Sequence, residues 1–206
     1  MDKGGKRADT DWFRDCRWGV FTHYLVGKET SARQWNRRID RFDVNRLARQ
    51  LASVGAPYYV ITLGQNSGHY CSPNATYDGF VGIRPSKCSK RDLVADLYDA
   101  LEPKGIKLMV YLPSGAPDQD ERAKKRLKWK WGFTKGWGSR TTGLRLAEFQ
   151  RRWEAVIREW SLRWGRHVHG WWIDGCYFAD DMYRHPDSPN FRSFAEALKA
   201  GNPDSI

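Results

Sequence analysis

The sequence YYVIT at residues 58–62 predicts the clearest β-strand of this chain, because aromatic and β-branched side chains favour strands. Amphipathic helical patterns lie on both sides of it, and the one that follows is predicted to open with a capping box from Ser89 to Asp92. The same alternation of strand and helix occurs four times along the chain. We predict strands at residues 19–22, 58–62, 107–112 and 170–174, and helices at residues 44–54, 89–101, 144–164 and 188–200.

The last predicted helix has a proline near its start. Ser188 is expected to be its N-cap, and Pro189 to occupy its first position. The spacing predicts that Phe191, Phe194, Ala195 and Leu198 face inward.

Strands separated by helices indicate an α/β fold with parallel pairing and right-handed crossovers. The pattern fits a TIM-type (β/α)₈ barrel or an open doubly wound sheet, and the lack of a glycine-rich phosphate loop disfavours nucleotide binding. A complete barrel takes roughly 250 residues and eight strands. This chain has 206 residues and about four βα units, so we expect residues 1–206 to be the N-terminal part of one barrel domain, with no second domain.

Composition excludes several protein classes. With 40% hydrophobic and 14% aromatic residues the chain is not disordered, and it has no apolar run long enough to cross a membrane. Four cysteines are too few for a disulfide scaffold. No signal peptide is recognisable, which leaves the compartment open between cytoplasm and export with the signal absent. Asn74-Ala75-Thr76 is a glycosylation sequon, a common triplet.

Positive charge is concentrated in one segment. The formal net charge is +11, and residues 121–140 hold eight Lys or Arg against Glu121 alone. These cations alternate with aromatic side chains, a pattern that suits single-stranded nucleic acid or an anionic polysaccharide, or belongs to a solvated loop and helix. The aromatic side chains are Trp129, Trp131, Phe133 and Trp137.

Polar side chains follow the predicted strand ends, which share one rim in a barrel. Asp174 ends the apolar run WWID and is the strongest candidate for a nucleophile or general base, unless it only caps the turn there. His23 follows the first strand and has a functional or a structural role. Gln65, Asn66 and His69 follow the second strand, where amides can bind sugar hydroxyls or simply form a turn.

An H-x-H pair, His167 and His169, precedes the fourth strand. Alternate residues of a strand can share a metal ion, but this pair lies at the amino end, away from the other candidates. We therefore predict neither a metal site nor a cofactor.

Several motifs occur in the order found in one enzyme family. Residues 12–23, WFRDCRWGVFTH, closely resemble the opening of the α-L-fucosidases of glycoside hydrolase family 29. Residues 54–62 and 105–111 resemble that family's second and third strands, and residues 90–94 resemble a helix start between them. Residues 172–175, WIDG, resemble its W-x-D-G motif.

This resemblance implies retaining hydrolysis of terminal α-L-fucosyl or related glycosidic bonds in a carbohydrate substrate. It implies that Asp174 is the nucleophile, that His23 binds sugar hydroxyls, and that Tyr111 and Trp172 line the same pocket. The family's acid/base carboxylate lies beyond the fourth strand, so we expect it to be missing here and the chain alone to be inactive. No nucleic-acid or membrane partner is expected.

Two departures from the family pattern leave an alternative open. The family's His-His pair is replaced by Gln65-Asn66, and its tryptophan after the first-strand histidine by Tyr24. A sugar site with altered specificity remains expected at these positions. The alternative is a non-catalytic carbohydrate-binding relative that kept the fold. Because half a barrel leaves strand edges uncovered, self-association is also expected.

Overall fold

The computed structural model describes residues 9–130 and 142–206. Its sheet is parallel throughout, with adjacent strands in chain order, β1-β2-β3-β4. The strands are β1 (Val20–Thr22), β2 (Tyr58–Thr62), β3 (Lys107–Pro113) and β4 (Gly170–Asp174). The sheet is not closed, so the predicted α/β fold with four βα units of a partial barrel is confirmed.

Most of the helices cover one face of this sheet, whereas α1 lies beside the other face. In chain order they are α1 (Asp11–Cys16), α2 (Ala32–Asp40), α3 (Val44–Ser53), α4 (Ala75–Val81), α5 (Leu93–Leu101), α6 (Glu121–Leu127), α7 (Ala147–Trp164), α8 (Ala179–Met182) and α9 (Phe191–Leu198). Short 3₁₀ helices lie at Glu102–Lys104 and Gly165–His167. None of the helices in the described part of the chain is both long and apolar enough to cross a membrane.

The four predicted helices correspond to α3, α5, α7 and α9, but three of them begin later than predicted. α7 begins at Ala147 instead of residue 144, and the predicted N-caps of α5 and α9 are wrong. The N-cap of α5 is Asp92, whose carboxylate accepts a hydrogen bond from the backbone N–H of Ala95 at 3.2 Å. Ser89 lies outside the helix and donates its hydroxyl proton to the carbonyl of Arg91. The carboxylate three residues later therefore replaces the expected serine cap.

The N-cap of α9 is Asn190 and not Ser188. Its side chain accepts from the N–H of Ser193 at 3.1 Å, while the Ser193 hydroxyl accepts from the N–H of Asn190 at 2.9 Å. This reciprocal pair starts the helix two residues later than predicted. Phe191 is then 69% exposed instead of facing inward, whereas Phe194 is buried as expected.

The main core lies between the sheet and the helical layer. Its largest side chains include the tryptophans of α7, Trp153, Trp160 and Trp164, which are fully or almost fully buried. Their indole N–H groups donate to groups distant in sequence. Trp153 bonds the carbonyl of Pro113 at the end of β3, and Trp160 bonds that of Pro73 in the connection after β2. Each such bond satisfies a buried donor and ties α7 to another segment.

The opposite sheet face carries a smaller apolar cluster of Val60, Met109 and Tyr111. Trp12 of α1 packs beside it, near Tyr58 and His169 at the amino ends of β2 and β4. Along β4, Ile206 donates its N–H to the carbonyl of His169, and its own carbonyl accepts from the N–H of Trp171. Ile206 therefore lies where a neighbouring parallel strand would pair with β4.

Asn74, the first residue of the sequon, has a structural role. It is 1% exposed, its side-chain oxygen caps α4 by accepting from the N–H of Tyr77, and its amide donates to the carbonyl of Val156 in α7. A side chain buried in this way is not accessible for glycosylation in the folded protein.

Replacing Asn74 with Ala is expected to lower the free energy of unfolding by about 2–3 kcal/mol, because α4 loses its cap and the Val156 carbonyl loses a buried donor. Urea denaturation followed by circular dichroism measures this loss. Asn74→Ser keeps a capping oxygen without the amide donor, so it should lose less. Equal stability of N74A and the native chain would contradict the assignment.

Candidate functional site

The carboxyl ends of the four strands bring the predicted site residues to one edge. Parallel register pairs Thr22 with Ile61, Thr62 with Tyr111, and Tyr111 with Trp172. Because alternate residues of a strand share a face, Thr62, Tyr111 and Trp172 lie side by side on the face opposite the main core.

Two consecutive side-chain hydrogen bonds lead from Gln65 through Tyr111 to the carboxylate of Asp174. The hydroxyl of Tyr111 donates to Oδ2 of Asp174 at 2.6 Å, and Nε2 of Gln65 donates to the Tyr111 oxygen at 2.9 Å. Burial raises the pKa of Tyr111, and the hydrogen bond to Asp174 raises it further, so the phenol stays protonated and acts as the donor. Asp174 is therefore held in position with one oxygen committed to Tyr111.

The backbone around Asp174 is fixed by the end of β3. The N–H of Ser114 donates to the carbonyl of Asp174 at 2.7 Å, and the Ser114 hydroxyl donates to the carbonyl of Gly175 at 2.7 Å. Gly175 has φ +72°, a left-handed conformation that favours glycine. These bonds fix the backbone from which the Asp174 side chain projects.

His23 is positioned by the threonine that ends β2. The hydroxyl of Thr62 donates its single proton to the carbonyl of Thr22 at 3.2 Å, and its oxygen lies 2.8 Å from Nδ1 of His23. The network therefore assigns the proton to Nδ1 of His23, which donates to Thr62. In the neutral ring, Nε2 is then a hydrogen-bond acceptor.

Aromatic rings form a surface beside the carboxylate of Asp174. The ring centroid of Phe21 lies 5.7 Å from Trp172, 5.4 Å from Tyr111 and 4.6 Å from His23. Phe21 is 38% exposed and Trp172 48% exposed. Exposed apolar rings next to a held carboxylate suit a ligand with both an apolar face and polar groups. The sequence reasoning missed Phe21, although its position two residues before His23 on one strand face was a signal.

Two further predicted site residues have other partners. Tyr24 packs against Trp35 and Phe42, and its hydroxyl donates to the carbonyl of Arg38 at 3.3 Å. Asn66 is exposed, and its carbonyl accepts from the N–H of Gln119 at 2.9 Å. Their predicted sugar contacts stay predictions.

Solved structures resemble this architecture over nearly the whole chain. A bacterial fucosidase with an iminocyclitol inhibitor matches 100% of it at 19% identity with a TM-score of 0.60. A glycoside hydrolase family 29 α-L-fucosidase from Bacteroides thetaiotaomicron, trapped as a covalent intermediate, matches 100% at 19% identity and a TM-score of 0.57. This is the fold of part of a family 29 α-L-fucosidase.

The resemblance has limits in sequence and in length. The chain spans 49% of each of those two fucosidases. An endo-fucoidan hydrolase of glycoside hydrolase family 107 also matches 91% of the chain at 14% identity and a TM-score of 0.62, and 32% of that protein is covered. No family model and no curated protein sequence matches the chain.

Three acidic side chains that follow β4 have partners of their own. They are Asp180, Asp181 and Glu196. Asp180 pairs with Arg184 at 3.0 Å, and Asp181 accepts hydrogen bonds from the backbone and the hydroxyl of Thr142. Glu196 is exposed and pairs with Arg192 at 3.2 Å.

Three further histidines, His69, His167 and His169, lie away from the carboxyl ends of the strands or inside the protein. His167 stacks on Tyr98 with centroids 3.9 Å apart, and Nδ1 of His169 accepts from the N–H of Leu108. His69 is buried beside the ring of Trp35, with Nδ1 3.3 Å from the hydroxyl of Ser67. The histidine, cysteine and acidic side chains of residues 9–130 and 142–206 form no group of three that could hold a metal ion.

Burial of His69 predicts a pH dependence of stability. Burial first, and the charge of Lys87 second, lower the pKa of His69 from 6.5 to about 4. The unfolded chain therefore binds more protons between these values, and stability decreases as the pH falls from 6.5 towards 4, by at most about 1.4 kcal/mol per pH unit. Urea denaturation at several pH values measures the slope.

His69→Gln should make this slope shallower, because it removes the titrating ring. His167→Gln, which changes an exposed histidine, should keep the native slope. An unchanged pH dependence in the His69 variant would show that another group causes it.

Proposed function

We propose that this site binds a terminal α-L-fucosyl or related sugar and that Asp174 is the nucleophile of a retaining glycoside hydrolase. One observation carries the proposal: a carboxylate held by Tyr111 lies beside exposed aromatic rings at the carboxyl edge of a sheet with the fucosidase fold. Active sites of (β/α)₈ enzymes lie at this edge.

The surroundings of Asp174 fit a sugar. Apolar C–H faces of a sugar ring can pack on Trp172 and Phe21, which are the exposed rings beside the carboxylate. Nε2 of His23 accepts a hydrogen bond from a sugar hydroxyl, and the exposed amide of Asn66 can donate or accept one. Gln65 acts mainly through Tyr111, to which its amide donates.

The proposed first step forms an ester between Asp174 and the anomeric carbon. As this bond forms, the bond from the anomeric carbon to the leaving oxygen breaks, and that oxygen takes a proton from a second carboxylic acid. Water, deprotonated by the same group, then bonds to the anomeric carbon as the ester bond breaks, which regenerates the Asp174 carboxylate and releases the sugar with retained configuration. Tyr111 is a positioning residue here, because its hydrogen bond orients the carboxylate.

The second carboxylic acid is expected beyond the fourth strand, outside this chain. In retaining enzymes it stands about 5 Å from the nucleophile. Asp180 and Glu196 form exposed ion pairs, and Asp181 bonds Thr142, so none of them is proposed for this role. We therefore expect the isolated chain not to hydrolyse an aryl fucoside, and measurable turnover would contradict this.

The nucleophile can be tested without the acid. In 2-fluoro-fucosyl fluoride the leaving fluoride needs no protonation, so Asp174 should displace it and become esterified. Intact mass spectrometry of the 206-residue chain should show one added fluorofucosyl group, and peptide mapping should locate it at Asp174. Asp174→Asn should show no label, and labelling at a different residue would overturn the assignment.

A matched variant tests the role of Tyr111. Tyr111→Phe keeps the ring but removes the donor to Asp174, so labelling should slow by about tenfold, the effect of one hydrogen bond to a charged group. Near-native circular dichroism would show that the fold is kept. A labelling rate equal to that of the native chain would exclude a positioning role for this hydroxyl.

The alternative function is carbohydrate binding without catalysis. The replacement of the family's His-His pair by Gln65-Asn66 favours it. A binding protein would take up fucose-containing glycans but form no ester with the fluoride. In a protein that includes the rest of the barrel, Asp174→Asn would leave a binder unchanged and would reduce the turnover of an enzyme by several orders of magnitude.

A further inference from the structure

A strongly basic groove lies between α6 and α7. Its volume is about 470 Å³, and no acidic side chain is among the described residues that line it. The lining side chains are Arg122, Lys125, Arg126, Lys128 and Arg152. The groove uses part of the basic segment that the sequence singled out and that the proposed catalytic site does not explain.

Two of these arginines are held by the fold. Arg122 donates to the carbonyls of Val81 and Gly82 at the end of α4. Arg152 donates to the carbonyl of Arg126 and pairs with Glu148 at 2.6 Å. These bonds fix opposite walls of the groove.

The other three cations contribute nothing comparable to the fold. Lys125, Arg126 and Lys128 are exposed, and in the described part of the chain their side chains have no ion pair or hydrogen bond. Arg126 follows Arg122 by one helical turn, and like charges at this spacing repel. A bound anion would offset this repulsion.

Lys128 stands where the backbone favours glycine. It has φ +67°, and only its backbone N–H is used to close α6, by donating to the carbonyls of Lys124 and Lys125. Glycine adopts this left-handed conformation without strain, whereas lysine does not. The lysine side chain therefore adds charge to the groove at a cost to the fold.

The helices near the groove follow the strands that carry the proposed sugar site. Both α4 and α6 lie in connections that leave the carboxyl ends of β2 and β3. The N–H of Gln119, just before α6, donates to the carbonyl of Asn66, and Asp120 pairs with Lys87 at 2.5 Å. These bonds link the segment just before α6 to the connection that follows β2.

Trp129, an aromatic side chain of the basic segment, is too buried to stack on a nucleobase. Trp129 is 7% exposed and packs against Phe149 and Phe178. Trp131, Phe133 and Trp137 lie outside the described residues. The described groove is thus an array of cations without an exposed ring, which favours a sulfated chain over single-stranded nucleic acid.

We propose that the groove of Lys125, Arg126 and Lys128, with Arg122 and Arg152, binds sulfate groups of a sulfated polysaccharide. Sulfate esters stay ionised, and arginine and lysine recognise such oxyanions by charge-assisted hydrogen bonds. This inference rests on the proposed function, because it makes the substrate of that site a sulfated glycan.

Calorimetry of the 206-residue chain with a sulfated fucan tests the proposal. We expect binding that weakens with added salt, and weaker binding of the same polymer after desulfation. Lys128→Gly should weaken binding by about threefold, and the double variant Arg126→Gln, Lys128→Gly by about tenfold, as expected for exposed charges. Lys128→Gly should also raise the melting temperature, which a purely structural role for the lysine would not allow.

Arg49→Gln is the matched control, because it removes an exposed cation of α3 far from the groove in the chain, and it should bind as the native chain does. Equal affinity of the double variant, or tighter binding of single-stranded DNA than of the sulfated fucan, would overturn the proposal. Asp174→Asn should keep this binding. If fluoride labelling fails while sulfated fucan still binds through the groove, the proposed catalytic function fails and the groove assignment stands.

Discussion

The parallel register of β3 and β4 is the constraint on which the site depends. It pairs Tyr111 with Trp172 and Pro113 with Asp174, so that the phenol, the indole and the carboxylate lie at one edge. A slip of one residue would turn Asp174 to the opposite face of the sheet, towards the main core. The 2.6 Å bond between Tyr111 and Asp174 exists only in this register.

Hydrogen bonds tie this edge to the helical core. Trp153 of α7 bonds the carbonyl of Pro113, the residue paired with Asp174, and Trp160 bonds that of Pro73 in the connection after β2. The connection after β2 carries α4, and the connection after β3 carries α6, which lines the basic groove. α7 thus supports both the proposed sugar site, through its buried tryptophans, and the proposed sulfate site, through Arg152.

Much of the fold could be predicted, because strand and helix periodicities are local. The strands at residues 58–62 and 170–174 have their predicted bounds. Helix starts were harder, because several side chains close in sequence can serve as caps, and Asp92 and Asn190 took this role in place of Ser89 and Ser188. Short helices such as α4 and α6, with seven residues each, give too few turns for a periodic signal.

The sequence by itself determined the alternation of strands and helices and the candidates Asp174, His23 and Tyr111, because the carboxyl ends of parallel strands share one edge. Only the tertiary structure decided the partners of these side chains. The bond from Gln65 to Tyr111 spans 46 positions and that from Asn74 to Val156 spans 82. Such contacts depend on how distant segments pack in space, and no local pattern encodes that.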